Sequence, residues 1–140
     1  MADALGAIRT YILAQSSVND LIAQRLYLGR RPEGSSLPCA TITRTSEDHN
    51  HLLTGRSGLV KTRMQIVVYS DRHSGTTGAS TIAEKIYQCG IDQIKGTTNG
   101  VDIRGITVED GRREGDFEDT AGGDDQTYFS EFDLMVSYLE

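Results

Sequence analysis

Hydrophobic residues recur at helical spacing over the first thirteen positions and leave Asp3 and Arg9 on the other side. The apolar positions are Ala4, Leu5, Ile8, Tyr11 and Ile12. This pattern predicts an amphipathic helix. In the segment SSVNDLIAQRLY, Ser17 followed three places later by Asp20 approximates a capping box, which predicts a second, short helix starting near Val18. Residues 29–38 are rich in Gly, Ser and Pro, a composition that predicts a loop.

Four later segments alternate between apolar and polar residues, which is the period of a β-strand. They are CATITRTSE at 39–47, the segment 58–70, the segment 101–110 and QTYFSEFDLMVSYL at 126–139. In the third of these the alternation changes phase at Gly105, which predicts a bulge. Asn99-Gly100 precedes it and is a hairpin-type pair. Residues 48–57 are predicted to form a loop between the first two strands.

A helical pattern returns from Ser74 or Thr76 and puts Ala79, Ile82, Ala83 and Ile86 on one stripe. The predicted order is therefore helix, short helix, strand, strand, helix, strand, strand. Two hairpins separated by a helix predict an α+β, two-layer domain with a four-stranded antiparallel or mixed sheet and helices on one face.

The segment EDGRREGDFEDTAGGDD, residues 109–125, holds eight carboxylates and two arginines. Such a segment cannot join an apolar core, so we expect an acidic, flexible loop between the last two strands. With 140 residues the chain has the usual size of one domain, and we expect a single domain over 1–140.

Charge and cysteine content narrow the class of protein. The net charge of −6 argues against general nucleic-acid binding and against binding to an anionic membrane surface. Cys39 and Cys89 stand far apart, and we expect both to be reduced. The first residues lack a basic region followed by an apolar run, and no apolar run reaches the ~20 residues of a membrane span, so we expect neither a signal peptide nor a membrane segment.

Candidate chemistry is sparse. Asp48, His49 and His51 contain metal-ligand side chains, but His73 is the one further histidine and lies beyond the second strand, so we expect solvated or interface histidines rather than a metal site. The glycine-rich stretches TGRSG and HSGTTGAST lack P-loop spacing and are predicted to be a turn and a helix cap. We find no arrangement of nucleophile and base, and therefore expect neither an enzyme nor a cofactor.

A series of short motifs occurs in a fixed order along the chain. They are YLGR at 27–30, LP at 37–38, DH at 48–49, LTG at 53–55, SGL at 57–59, RMQIVVY at 63–69 and IKGTTNGVDIRGITVEDGRR at 94–113. In this order the chain resembles the tail-completion, or tail-terminator, family of long-tailed phages. The resemblance implies a structural virion protein that forms a ring, a homo-hexamer, on the head-proximal end of the tail tube. That ring ends tube growth and joins the tail to the head.

The implied partners are further copies of the chain, the tail tube protein and the head-closure (connector) protein, while DNA passes through without specific binding. The implied location is the head-tail junction of a virion assembled in the host cytoplasm. On this hypothesis the segment 48–57 is an interface loop aimed by the strand that follows. The predicted subunit or tube contacts are Asp48, His49, Leu53, Arg56, Lys61 and Arg63, with Lys61 and Arg63 meeting carboxylates of a neighbour.

The acidic loop has two open interpretations, a wall of the channel or tube contact and a plain solvated loop. Its candidate residues are Asp116, Glu118, Asp119, Asp124 and Asp125. Two other functions stay open at this stage, namely a head-closure adaptor ring on the capsid side of the joint and a non-viral ligand-binding α+β domain.

Overall fold

The computed structural model describes residues 4–29, 37–52, 55–71, 75, 78–88, 96–98, 101–109, 113–118 and 126–139, with the backbone path alone at 48–52, 55–57, 97–98, 113–118 and 126–127. The elements are α1 Ala4–Leu13, α2 Ser16–Ile22, β1 Leu26–Leu28, β2 Cys39–Leu52, β3 Gly55–Ser70, α3 Ala79–Gln88, β4 Gly96–Thr98, β5 Val101–Val108, β6 Arg113–Glu118 and β7 Gln126–Leu139. The predicted α+β class and the order of the main helices and strands are confirmed.

The sheet is larger than the four strands predicted. Over the described residues it has seven strands in the order β1-β2-β3-β7-β5-β4, with β6 also paired to β7. Only the β1–β2 pair is parallel. The three additional strands, β1, β4 and β6, are three to six residues long. Strands β1 and β4 have three residues each and are too short to show a period of two, and the acidic sequence of β6 does not alternate between apolar and polar residues.

All three helices contribute to one core on one face of the sheet. A row of core residues crosses the three strands β2, β3 and β7, with Ile42 paired to Ile66 and Ile66 paired to Phe132. All three of these side chains are at most 1% exposed. On the helices, Ile8, Ile12, Ile22, Ile82 and Ile86 belong to the same core. Buried residues alternate with half-buried or exposed ones from Val60 to Ile66 of β3 and from Ser130 to Leu139 of β7, whereas Val67 of β3 is buried on the other face.

Two details of the helices differ from expectation. Helix α2 begins at Ser16 and its N-cap is Gln15, which makes no side-chain capping bond, so the predicted capping box at Ser17 is wrong. Ser17 lies inside the first turn, where its hydroxyl is not at the capping position. Helix α3 begins at Ala79, later than predicted, while Ser74 and Thr76 lie outside the described residues.

The predicted bulge and hairpin in the second half are confirmed. The pairing of β5 with β7 shifts register between Ile103 and Gly105. Thr98 pairs with Val101 in the antiparallel pair β4–β5, while Asn99 and Gly100 themselves lie outside the described residues. The bulge lets Ile103 and Ile106 both face the core although they are three residues apart.

Candidate assembly interface

Strands β2 and β3 form a hairpin that extends beyond the end of β7. The last residue of β7, Leu139, pairs with Leu59, while Gly55 and Arg56 pair with Leu52 and His51 of β2. We call residues 47–52 and 55–60 the hairpin arm. The arm replaces most of the loop predicted at 48–57. Polar side chains do not interrupt a two-stranded ladder, because the backbone groups of each strand still satisfy those of the other.

The predicted contact residues lie on this arm or next to it. Asp48 stands directly opposite Lys61, and His49 stands opposite Val60. Arg56 is the second residue of β3 and pairs with His51 of β2. Leu53 lies outside the described residues, as do the side chains of Asp48, His49 and Arg56. The structure therefore places five of the six predicted residues on the β2–β3 hairpin, and their role as contacts stays a prediction.

Lys61 and Arg63 point away from the helices, as the strand pattern predicts, but their surroundings differ. We call this side of the sheet the open face, which is formed by Lys61, Arg63 and Gln65 of β3 and by Glu131, Asp133, Met135 and Ser137 of β7. Lys61 is exposed, whereas Arg63 is partly covered.

Arg63 is already paired within its own chain. Its Nη1 donates to Oε2 of Glu109 and lies 3.7 Å from Oδ2 of Asp133. The side chains of the three residues are 37%, 31% and 20% exposed, which makes this a partly covered ion-pair cluster. Both carboxylates belong to the same subunit, and the predicted contact of Arg63 with carboxylates of a neighbour stays a prediction. A contact of Arg63 with a neighbouring copy therefore has to add to this pairing or replace it.

The backbone holds the two carboxylates of the cluster side by side. The amide N–H of Glu109 donates to the carbonyl of Asp133 at 2.9 Å, immediately after β5 ends at Val108. This bond places Glu109 beside Asp133 of β7. The side chain of Arg63 extends from β3 to both carboxylates. Two neighbouring carboxylates repel each other, and the guanidinium group between them compensates that repulsion.

A side-chain hydrogen bond on the helix-covered face of the sheet holds the base of the hairpin arm. Tyr138 is 3% exposed, and its Oη donates to Oε1 of Glu47 at 2.9 Å. The same carboxylate oxygen lies 3.8 Å from Nη1 of Arg44. Because β3 lies between β2 and β7 in the sheet, the tyrosine side chain reaches across one whole strand.

A register shift separates Arg44 from Glu47, and two threonines bond across it. The pairing of β2 with β3 is irregular between Arg44 and Ser46 and again between His49 and His51. At the first irregularity Thr62 Oγ1, which is fully buried, donates to the carbonyl of Ser46 at 3.0 Å. Thr45 Oγ1 donates to the carbonyl of Arg63 at 3.2 Å. These bonds tie both strands together where the bulge bends the hairpin.

The acidic segment is more ordered than its composition predicts. Residues 113–118 form β6, which pairs antiparallel with β7 over 126–131. Asp116 stands opposite Tyr128, and Glu118 stands opposite Gln126. The prediction of a flexible loop is therefore wrong for these six residues. Backbone pairing with an existing strand does not depend on apolar side chains. Asp119, Asp124 and Asp125 lie outside the described residues.

The described part of the chain shows no chemistry of a metal centre. Among the side chains that the structure describes, no group of three or more His, Cys, Asp or Glu residues is arranged to hold a metal ion. No helix within the described ranges is long and apolar enough to cross a bilayer. Cys39 is buried and free.

The sequence analysis did not predict two long-range side-chain pairs, Tyr138 with Glu47 and Arg63 with Glu109. Glu47 and Tyr138 are 91 positions apart, and Arg63 and Glu109 are 46 positions apart. Each of these residues looks like an ordinary polar or aromatic position of its own strand. A signal for the pairs would require the strand order, in which β7 lies between β3 and β5.

The comparisons with known proteins agree with this architecture. The family model described as "Tail completion protein gp17" matches residues 6–92, from α1 to just beyond α3. A solved structure titled "Virion of native gene transfer agent (GTA) particle" contains a chain of the same fold, with a TM-score of 0.62, 13% identity, and coverage of 98% of this chain and 95% of that one. No curated protein matches the sequence. Because the family model covers more than half of its length, the chain belongs to the tail completion protein family, whose members are structural components of the phage tail.

Proposed function

We propose that the protein forms a ring on the head-proximal end of the phage tail tube, where it ends tube growth and provides the surface that joins tail to head. The observation that carries the proposal is the family match over 6–92, which includes both strands of the hairpin arm and all three helices. The protein acts by binding, without catalysis. Its partners are further copies of itself, the tail tube protein and the head-closure protein.

The shape of the subunit suits a ring of identical copies. A contact between two different surfaces of the same protein closes into a ring when each copy is rotated by a constant angle. The hairpin arm extends past β7 on one side of the sheet, and the sheet ends at β4 and β5 on the other side. A subunit with an extended feature at one side and a different surface at the other is suited to head-to-tail contact.

Charge also suits a ring through which DNA passes. Each copy carries a net charge of −6, so six copies together carry about −36. A wall of this sign repels the phosphate backbone and lets DNA slide without binding. The family resemblance is the source of the number six, and the charge argument holds for any similar ring.

The proposal is tested by deleting the gene from its phage and viewing the lysate by negative-stain electron microscopy. Filled heads beside unjoined tails of uncontrolled length are expected, and expression of the wild-type gene from a plasmid should restore intact virions. Intact virions in the deletion lysate would overturn the proposal. Unjoined tails of normal length, together with heads that leak DNA, would instead assign the protein to the capsid side of the joint.

A further inference from the structure

The hairpin arm has a bulge at its base, and a bulge is where a two-stranded ribbon bends and twists. An isolated pair of strands is marginally stable in water, and its direction is set by contacts at its base rather than by its own ladder. In this protein the bulge lies between Arg44 and Ser46, just before the arm begins. The contacts beside it therefore decide the direction in which the arm leaves the sheet.

The bond between Tyr138 and Glu47 is a side-chain contact that links β2 of the arm to β7, in addition to the backbone pairing of Leu59 and Val60 with Leu139 and Tyr138. Thr62 and Thr45 join β2 to β3, so they tighten the ribbon but do not anchor it to the rest of the sheet. Tyr138 belongs to β7, and its ring is held in the core at 3% exposure. A fixed ring gives its hydroxyl a fixed position, and the carboxylate of Glu47 accepts from it at 2.9 Å.

The ring of Tyr138 packs in the core, and its hydroxyl bonds to the arm, so the two roles can be changed separately. The buried ring belongs to the same core as Val60, Val136 and Ile103, and a phenylalanine ring fills the same volume. The hydroxyl donates to Glu47 on the arm side of the bulge. Removing the hydroxyl while keeping the ring therefore changes the anchoring of the arm and leaves the core packed.

We propose that Tyr138 and Glu47 are positioning residues that fix the angle of the hairpin arm, so that each copy presents its arm to its ring neighbour in the same orientation. The inference rests on the proposed ring function. A ring closes only when every copy makes the same rotation to the next, so a spread of arm angles lowers the fraction of contacts that close. The partner in this contact is a second copy of the chain.

The first test measures the free subunit and does not depend on assembly. Amide hydrogen exchange is followed by NMR in wild type, Tyr138→Phe and the control Tyr87→Phe, whose exposed ring lies edge-on to Phe132 at 5.8 Å. In Tyr138→Phe we expect amides of the arm to exchange about tenfold faster, the usual weight of one hydrogen bond to a charged group. Amides of Ile66 and Phe132 should keep their protection, and the control should match wild type throughout. Unchanged exchange of the arm in Tyr138→Phe would overturn the inference.

A double-mutant cycle then shows whether the two residues act through each other. Glu47→Ala should speed exchange of the arm amides by a similar factor, and the double variant Glu47→Ala/Tyr138→Phe should add little to either single change. Glu84→Ala is the matched control, since Glu84 is an exposed carboxylate of α3 that bonds to Gln88 within its own helix. Additive effects of Glu47→Ala and Tyr138→Phe would show that each residue acts alone. They would overturn the claim that the two residues position the arm through their mutual bond.

Complementation of the gene deletion separates this inference from the proposed function. If the wild-type gene restores joined virions and Tyr138→Phe restores them at least about tenfold less well while Tyr87→Phe restores them fully, both proposals stand. If the deletion itself has no effect on tails, the proposed function fails, whatever the exchange data show. If wild type complements and Tyr138→Phe complements equally, the arm angle does not govern assembly and the inference fails alone.

Discussion

Arg63 and Glu109 form an ion pair across β7, the strand that separates β3 from β5 in the sheet. The pair links the hairpin strand β3 to the end of β5, and Asp133 of the intervening strand completes the cluster at 3.7 Å. A residue that we predict as an intersubunit contact on the family resemblance is thus also part of the subunit's own framework. Its neighbour on the same face, Lys61, stays exposed.

This difference predicts unequal effects for the same charge reversal at two adjacent positions of one face. Arg63→Glu places three carboxylates together, and we expect the free energy of unfolding to fall by about 1 kcal/mol, a small figure because more than a third of Arg63 is exposed to solvent screening. Lys61→Glu should change it by less than about 0.5 kcal/mol, as is usual for exposed positions. Urea unfolding followed by circular dichroism measures both. Equal losses in the two variants would contradict the assignment of Arg63 to an internal cluster.

The same two variants separate stability from assembly. If Lys61 contacts a neighbouring copy or the tube, Lys61→Glu should fold normally and still fail to restore joined virions to the deletion strain, because a repulsive charge at an interface opposes binding. Lys61→Gln is the matched control, since it removes the charge without reversing it and should show a weaker defect. Full complementation by a folded Lys61→Glu protein would remove Lys61 from the interface.

The long elements of the fold were predictable from the sequence, and the short ones were not. Strand β7 agrees with its prediction at both ends, and its residues alternate between buried and half-buried from Ser130 to Leu139. Strand β6 has an acidic sequence and forms because an adjacent segment of β7 is available for pairing. Its formation depends on tertiary context, which overrides local composition. The hairpin arm extends into a predicted loop for the same reason.

In the candidate site, too, the features that depend on strand period were predictable and those that depend on strand order were not. The outward direction of Lys61 and Arg63 follows from the period of two in β3, and the structure agrees. The partner of Arg63 does not follow, because Glu109 becomes adjacent only through the order β3-β7-β5. Likewise, the burial of Tyr138 follows from the period of two in β7, but its hydroxyl bond to Glu47 depends on the extension of β2 past the bulge.

The turn between α2 and β1 holds two residues in the left-handed region. Ala23 has φ 48° and ψ 52°, and Gln24 has φ 65°. A side chain with a Cβ is strained there, whereas glycine is not. We expect Ala23→Gly to raise the free energy of unfolding by about 0.5 kcal/mol after the greater backbone freedom of unfolded glycine is subtracted. Ala14→Gly is the control, because Ala14 is also exposed but is absent from the positive-φ residues of the described chain, so glycine should destabilise it.

Scanning calorimetry measures the melting temperature of Ala23→Gly and of Ala14→Gly. The expected result is opposite signs for the same substitution at two exposed positions nine residues apart. A lower melting temperature for Ala23→Gly would mean that the turn tolerates its backbone conformation without strain.

The core row across the sheet predicts a large loss at Phe132. This side chain is 1% exposed and contacts Tyr87 of α3 edge-on, so it joins the sheet to the helix layer. Phe132→Ala removes most of its buried volume, and we expect a loss of about 3–5 kcal/mol in urea unfolding. Phe129→Ala makes the same change on the same strand, three residues away and only half-buried, and should cost clearly less. Comparable losses would place the core on the wrong face of β7.

The pairing of β6 with β7 predicts protection where the acidic composition predicts none. An unpaired segment with several carboxylates exchanges its amide protons at the rate of a free peptide, whereas an antiparallel ladder protects the amides that point toward the partner strand. In residues 113–118 we therefore expect protected amides at alternate positions, with the intervening ones less protected. Hydrogen exchange by NMR measures this directly in the free subunit. The strand has four consecutive register partners in β7 that also pair with β3, namely Tyr128, Phe129, Ser130 and Glu131, so protection should persist for as long as the centre of the sheet stays folded. Uniformly fast exchange over 113–118 would show that the acidic segment is unpaired in solution and would return it to the class of solvated loops.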